Sequence, residues 1–171
     1  MEGMRFGRTV VTGHQPDGTA VIVSEAKADA VALAGPAVVA HFLYGRDDVP
    51  TYPDDGSASA GESPFPPPGG CRVSYLRIAP GANEAYHAFI ASALGDLADD
   101  KEPGFHRTPT LDIAFVVAGS VTLELDAGNR TDLEPGDVVV QNGTRHRWHN
   151  SGDTEAVIAT VVLGANAAPA G

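Results

Sequence analysis

The chain has 171 residues, with 11 basic and 22 acidic side chains and a formal net charge of −11. This length fits one domain, and the 43% of hydrophobic residues is enough for a packed core. The acidic balance argues against nucleic acid or an anionic membrane as a partner, because both require a basic surface.

The cysteine count and the hydropathy pattern exclude further classes of protein. Cys71 is the only cysteine, so an internal disulfide and a cysteine-rich zinc site are excluded. No apolar run approaches the roughly 20 residues that a membrane span requires. The start of the chain also lacks the apolar core of a signal peptide. We therefore expect an intracellular, cytoplasmic protein.

The N-terminal part of the chain predicts strands around one long loop. Residues 8–23 are typical of a β-hairpin, since β-branched runs flank turn residues. Residues 37–44 predict a buried strand, bounded by Pro and Gly. Residues 45–70 are rich in Gly, Pro, Ser and Asp and predict a surface loop, and residues 71–78 alternate as a strand does.

Residues 83–98 predict one helix. Asn83 is a suitable N-cap, and Glu84 suits the positive end of the helix dipole. Apolar residues recur with helical spacing along one face, namely Tyr86, Phe89, Ile90, Ala93, Leu94 and Leu97.

From residue 105 onward the pattern changes to short strands and tight turns. Their near-regular spacing is typical of an antiparallel sandwich or barrel. The predicted strands are 110–118, 121–126, 130–134, 137–141, 146–150 and 156–163.

Two segments in this region place polar side chains on one face of a strand, because residues of equal parity share a face. The first contains His106, Thr108, Thr110 and Asp112, followed by aliphatic residues such as Val116. The second contains His146, Trp148 and Asn150. We expect the two histidines to face one another at the mouth of a barrel with a dry floor.

The first segment resembles the first motif of the cupin superfamily. That motif has His-x-His, a Glu about four residues later, and a Gly at the next turn. Here His106 takes the first histidine position, Asp112 the glutamate position and Gly119 the glycine position. Thr108 stands where the second histidine would be, which puts the usual ligand set in doubt.

The second segment resembles the second cupin motif. Gly136, Gly143, His146 and Asn150 match it, whereas Gln141 stands at its proline position. The resemblance extends from about residue 105 to 163, the expected barrel core, and the rest of the chain suits a small single-domain cupin. The chain is also similar to small cupins that accompany secondary-metabolite gene clusters.

The resemblance implies an all-β fold, the double-stranded β-helix or jelly roll, with one short α-helix inserted. It implies a single cupin domain over residues 1–171, which forms a homodimer. Cupins usually hold a metal through three histidines and a carboxylate. Here the set is reduced to His106, Asp112 and His146, which suits Fe, Zn, Mn or Ni and leaves a weaker, more easily emptied site.

Two versions of the site remain open from the sequence. In the first, His106, Asp112 and His146 ligate a divalent metal. In the second there is no metal: His106 and Asp112 form a hydrogen-bonded pair, His146 moves a proton, and Thr108 or Asp112 orients it.

Three residues are expected to contact the substrate in both versions: Trp148, Thr110 and Val116. Trp148 has an alternative role in the core, because tryptophan buries a large area wherever it lies. Arg145 and Arg147 flank His146. They either hold a substrate carboxylate or pair with the acidic surface.

The resemblance implies a small-molecule enzyme. The expected reactions are oxygenation, decarboxylation, isomerisation or cyclisation of an organic acid or a polyketide-like substrate. The alternative is a cupin that binds a small molecule without metal or turnover, since a fold does not determine a function. The sequence names neither the substrate nor the reaction.

Overall fold

The computed structural model describes residues 7–167, and this part of the chain contains eleven strands and one α-helix. The strands are β1 (Arg8–His14), β2 (Ala20–Lys27), β3 (Ala30–Ala32), β4 (Val38–Arg46), β5 (Cys71–Ile78), β6 (Thr110–Ala118), β7 (Val121–Leu125), β8 (Arg130–Leu133), β9 (Val138–Asn142), β10 (His146–Asn150) and β11 (Ala156–Gly164). Helix α1 (Asn83–Ala93) lies between β5 and β6. Residues 1–6 and 168–171, which the predicted single domain over residues 1–171 includes, lie outside the described residues.

Two antiparallel sheets enclose the core. One has six strands in the order β3-β4-β5-β11-β6-β9, and the other has three in the order β10-β7-β8. Helix α1 adds its apolar face to the core between them. The residues buried there include Val38, Ile78, Tyr86, Ile90, Val116, Val121, Leu123, Trp148 and Ile158. This architecture confirms the predicted all-β jelly roll with a single inserted helix.

Strand positions follow the turn signals in the sequence. Strands β5, β6 and β10 begin and end at the predicted residues. Gly119 separates β6 from β7 at φ +68°, a conformation that favours glycine. A Cβ atom at this position would lie 2.5 Å from the carbonyl oxygen of Glu155, so the turn also requires the absence of a side chain.

Helix α1 is shorter than predicted, and it starts differently. It ends at Ala93, and Gly95 begins a separate 3-10 turn with φ +51°. The N-cap prediction for Asn83 is wrong, because no side chain caps this end of the helix. Instead the Asn83 amide donates to the Asn150 carbonyl (3.1 Å) and accepts from the Asn150 N–H (2.8 Å). Asn83 therefore fastens α1 to β10.

The N-terminal hairpin forms a two-stranded sheet of its own, and β2 extends to Lys27, beyond the predicted end at residue 23. The long loop after β4 is held by two buried arginines. Arg46 pairs with Asp48 and Asp54, and Arg72 pairs with Asp47. In residues 7–167 no helix has the length and hydropathy that a membrane crossing requires.

Candidate functional site

A cavity of about 380 Å³ lies between the two sheets, beside helix α1. Its walls are mostly apolar and aromatic, with a few polar groups, which is typical of a small-molecule site. The main apolar contributors are Phe42, Phe65, Leu76, Tyr86, Phe89, Ile90, Leu94 and Trp148. The polar contributors are Glu62, Arg72, Ser74, His106, Asp112, His146 and Thr160.

The backbone brings His106 and His146 together. Each donates its main-chain N–H to the carbonyl oxygen of the other, and both distances are 2.9 Å. The two imidazole rings lie 4.4 Å apart between centroids, at an angle of 49°. The structure thus places side by side two histidines that are 40 positions apart in the chain.

The hydrogen bonds of the two rings determine their neutral tautomers. Nδ1 of His106 donates to the Gly104 carbonyl (3.0 Å), and Nδ1 of His146 donates to the Thr144 carbonyl (2.8 Å). A carbonyl oxygen only accepts, so Nδ1 carries the proton and Nε2 carries a lone pair. Within residues 7–167 neither Nε2 atom has a hydrogen-bond partner, and both side chains line the cavity.

Burial keeps this pair uncharged at neutral pH. Desolvation lowers the pKa of His106, against the opposing effect of its bond to the Gly104 carbonyl. Desolvation, and then the charge of His106, lower the pKa of His146 to about 4. Because each positive ring disfavours a second positive charge beside it, the pair titrates as one coupled unit.

Asp112 lines the same cavity. Its Oδ1 atom is buried and has no hydrogen-bond partner. Burial raises the pKa of Asp112, while the hydroxyls of Thr110 and Thr108 act in the opposite direction. The predicted hydrogen bond between His106 and Asp112 is not formed, because His106 Nδ1 bonds to the Gly104 carbonyl. A carbonyl group likewise orients His146, in place of Thr108 or Asp112.

The described residues are not arranged as the metal centre that the sequence suggested. Within residues 7–167 no group of three or more His, Cys, Asp or Glu side chains is arranged to hold a metal ion. The hydroxyl of Thr108, at the position of the second histidine ligand, bonds instead to the Thr110 hydroxyl (2.7 Å). Asp112, which is one methylene shorter than glutamate, interacts with these same hydroxyls. His106, Asp112 and His146 therefore share a cavity, and their role as a metal-ligand set stays a prediction.

The residues predicted to contact a substrate separate into two groups. Trp148 lines the cavity and is also part of the core at 6% exposure, so its core role is confirmed and its contact with a substrate stays a prediction. Its ring meets His146 edge to face, with 6.1 Å between centroids. Thr108, Thr110 and Val116 are buried but do not line the cavity, and Val116 belongs to the core.

Arg145 and Arg147 point away from the cavity and pair with acidic residues. Arg147 donates to Glu124 (2.7 Å), and the partners of Arg145 are Asp99, Glu102 and Asp126. The two guanidinium carbons lie 3.9 and 4.5 Å from the ring centroid of Phe105. The arginines thus clamp the residue before His106, and the structure favours their pairing with acidic groups over a role in holding a substrate carboxylate.

Several cavity residues were not recognised as functional from the sequence. The apolar stripe of α1 was predicted, but not that Tyr86, Phe89 and Ile90 form a cavity wall. On β5 and β11 the hydroxyls of Ser74 and Thr160 bond to each other at 2.8 Å and also line the cavity. The alternation along β5 puts Ser74 on one face with Leu76, which is the signal that the sequence carried.

The family of the C-terminal part follows from a direct match. Residues 95–162 match the family model described as "Cupin domain". In the solved structures, the cupin domain of Cnp3 from Schizosaccharomyces pombe superposes with a TM-score of 0.51 at 7% identity. The superposition covers 92% of this chain and 88% of that one, and it supports the fold alone.

Two curated fungal proteins are related in sequence. The chain is 35% identical over 92 residues to the Oryzines biosynthesis cluster protein J of Aspergillus oryzae, covering 54% of this chain and 41% of that protein. It is 28% identical over 153 residues to the cupin-domain-containing oxidoreductase srdB of Neurospora crassa, covering 88% and 69%. The chain thus spans less than half of the first relative. Together with the jelly roll and the two motif segments, these matches identify residues 95–162 as a cupin domain, and the chain is similar to a biosynthesis cluster protein and to a cupin-domain-containing oxidoreductase of fungi.

Proposed function

We propose that this protein is a small-molecule enzyme of secondary metabolism that uses the His106–His146 pair as a base. The observation that carries the proposal is the pair of neutral imidazoles whose Nε2 lone pairs face an apolar cavity. The similarity to a cupin-domain-containing oxidoreductase and to a biosynthesis cluster protein supports an enzymatic role. The homodimer and the cytoplasmic location expected from the sequence remain predictions.

The chemistry begins with proton abstraction from a carbon next to a carbonyl group. The C–H bond breaks, its electron pair moves onto the carbonyl as an enolate, and Nε2 of one imidazole takes the proton. The neutral pair can accept one proton and return it to the same or another carbon, which gives isomerisation without an oxidant. In cyclisation the enolate carbon instead attacks a second carbonyl carbon of the substrate, the C=O electron pair moves onto oxygen, and the pair returns its proton to that alkoxide. Gly104 and Thr144 carbonyls hold the rings in the tautomer that this step requires.

Hydrogen exchange into small ketones tests this proposal directly. We would incubate the protein with the two-ring ketones 1-tetralone and 2-tetralone in D2O and follow deuterium at the α carbon by NMR. Binding would be verified by shifts of the indole N–H resonance of Trp148, the only tryptophan in the chain. We expect the protein to accelerate exchange by about a hundredfold or more, the usual size of general-base catalysis.

Matched variants assign the effect to the pair. His106→Asn and His146→Asn keep an amide N–H for the same carbonyl but have no basic nitrogen, so both should abolish the acceleration. His149→Gln is the control, because His149 pairs with Glu124 away from the cavity and should keep the wild-type rate. The proposal would be refuted if a ketone shifts the Trp148 indole resonance, and so binds, but exchanges its α hydrogens at the same rate with wild-type protein and with both asparagine variants.

The second candidate is a cupin that binds a small molecule without turnover. The low pKa of His146, about 4, favours this alternative, because it weakens the ring as a base. The same experiment separates the two functions, since binding without exchange would point to the second.

A further inference from the structure

We propose that the cavity selects a neutral ligand that donates hydrogen bonds from phenolic or enolic O–H groups, and that it rejects carboxylates. This inference rests on the same site as the proposed function and specifies the substrate class. It departs from the organic acid that the sequence suggested.

The polar wall around the histidine pair is made of acceptors. Nε2 of His106 and Nε2 of His146 carry lone pairs, because both Nδ1 atoms donate to carbonyls. Oδ1 of Asp112 is the third acceptor, and it is buried without a partner. A buried acceptor without a hydrogen-bond partner carries a free-energy penalty. A ligand that brings O–H donors to these atoms removes this penalty and therefore gains the most binding free energy.

The charges around the cavity oppose an anionic ligand. In the described residues that line it, Arg72 is the only arginine or lysine, whereas Asp112 and Glu62 are both acids. The Arg72 guanidinium is already used: it donates to the carbonyls of Ser63, Arg46 and Cys71 and to the carboxylate of Asp47. A carboxylate would therefore be buried without a cation to offset its charge.

The remaining hydroxyls complete the description of the ligand. Ser74 and Thr160 bond to each other, so between them they keep one O–H and spare lone pairs for a ligand. Burial raises the pKa of Tyr86, whose ring also lines the cavity, so its hydroxyl stays neutral. These groups can form hydrogen bonds with a neutral carbonyl or hydroxyl group of a ligand. The aromatic walls of the cavity suit a flat apolar ring.

Three matched probes test the ligand class: 2-naphthol, 2-methoxynaphthalene and 2-naphthoate. They share a two-ring body and differ in having a donor, no donor, or a negative charge. Dissociation constants at pH 7 would come from shifts of the single Trp148 indole N–H resonance, since Trp148 lines the cavity. We expect 2-naphthol to bind about tenfold more tightly than either other probe, as one or two hydrogen bonds provide.

Variants show whether the acceptors are responsible. Asp112→Leu and His106→Leu each remove an acceptor and should reduce the preference for 2-naphthol by about threefold or more. Ser92→Ala, on the exposed face of α1, is the control and should keep it. Each variant would be compared with wild type by circular dichroism, and because each variant removes a different acceptor, either one that folds is sufficient.

Each alternative outcome contradicts the inference. Tighter binding of 2-naphthoate would reveal a cationic site, and equal binding of 2-methoxynaphthalene would mean that apolar contact alone selects the ligand. The absence of any Trp148 shift would exclude this cavity as the binding site. These results are independent of the exchange assay, so catalysis on ketones with a preference for 2-naphthoate would overturn this inference and leave the proposed function intact.

Discussion

Replacing His146 with asparagine should flatten the pH dependence of stability between about pH 7 and pH 4.5. In the folded protein the pKa of this imidazole is lowered from 6.5 to about 4, first by burial and then by the neighbouring His106. The unfolded chain therefore binds the proton more tightly than the folded one. The stability that the neutral ring contributes is fully present above pH 6.5 and is lost as the pH falls toward 4.

The size of the effect follows from the gap of about 2.5 pH units between the two pKa values, at about 1.4 kcal/mol per unit. Over the window from about pH 7 to pH 4.5 the free energy of unfolding should fall by about 2 kcal/mol through this group. Glu124 and Asp99 have pKa values of about 2 in the fold, below their usual 4.5 and 3.8. Their contributions are lost mainly below the window. The raised pKa of Asp112 and the lowered pKa of His106 affect both proteins, so the difference between wild type and His146→Asn reports the His146 imidazole.

Urea denaturation followed by circular dichroism at several pH values measures this difference. The wild-type free energy of unfolding should fall by about 2 kcal/mol more than that of His146→Asn across the window. His14→Asn removes a histidine from the separate β1–β2 hairpin and serves as the control. Parallel curves for wild type and His146→Asn would show that the buried imidazole is not held neutral by the fold, and the argument for a neutral pair would fail.

Three further predictions concern the same framework. Long-range ¹H–¹⁵N spectra at pH 7 should show His106 and His146 protonated at Nδ1 only, and an Nε2–H signal from either ring would contradict the acceptor assignment. Asn83→Ala should lower the free energy of unfolding by about 1–3 kcal/mol in urea titrations, because it removes both side-chain bonds to β10; an unchanged midpoint would mean that these bonds do not hold α1. Gly119→Ala should be more destabilising than Gly128→Ala in the same assay. Both glycines have positive φ, but only at Gly119 would a Cβ meet backbone atoms, so equal costs would show that conformation alone matters.

The strands were predictable because their ends carry local signals. Gly119, Gly136 and Gly143 all adopt positive φ in turns, and the runs between them contain the predicted short strands. The two motif segments could also be recognised from the sequence, since both contain a histidine beside turn residues. Local chemistry of this kind needs no knowledge of distant contacts, and this is why an antiparallel barrel and the pairing of His106 with His146 could be anticipated. The jelly-roll topology was implied by the resemblance to cupins.

The details of the site depend on contacts that the sequence does not reveal. Asn83 has the composition of an N-cap, yet the strand that packs against it offers better partners for its amide. Nothing in the sequence distinguishes Glu124 from other polar strand residues, but it is buried and accepts hydrogen bonds from Arg130, Arg147 and His149. Asp112 interacts with the hydroxyls of Thr110 and Thr108, and His106 bonds to the Gly104 carbonyl; spacing alone does not specify this choice of partners.

The reciprocal main-chain bonds between residues 106 and 146 have a consequence for how this cavity can diversify. Amide and carbonyl groups hold the two positions in register, so the side chains themselves are not needed to keep them opposite one another. Any residue except proline could in principle occupy either place and still project beside its neighbour. Evolution can thus exchange the reactive groups at the barrel mouth one at a time, and new chemistries become accessible without rebuilding the scaffold.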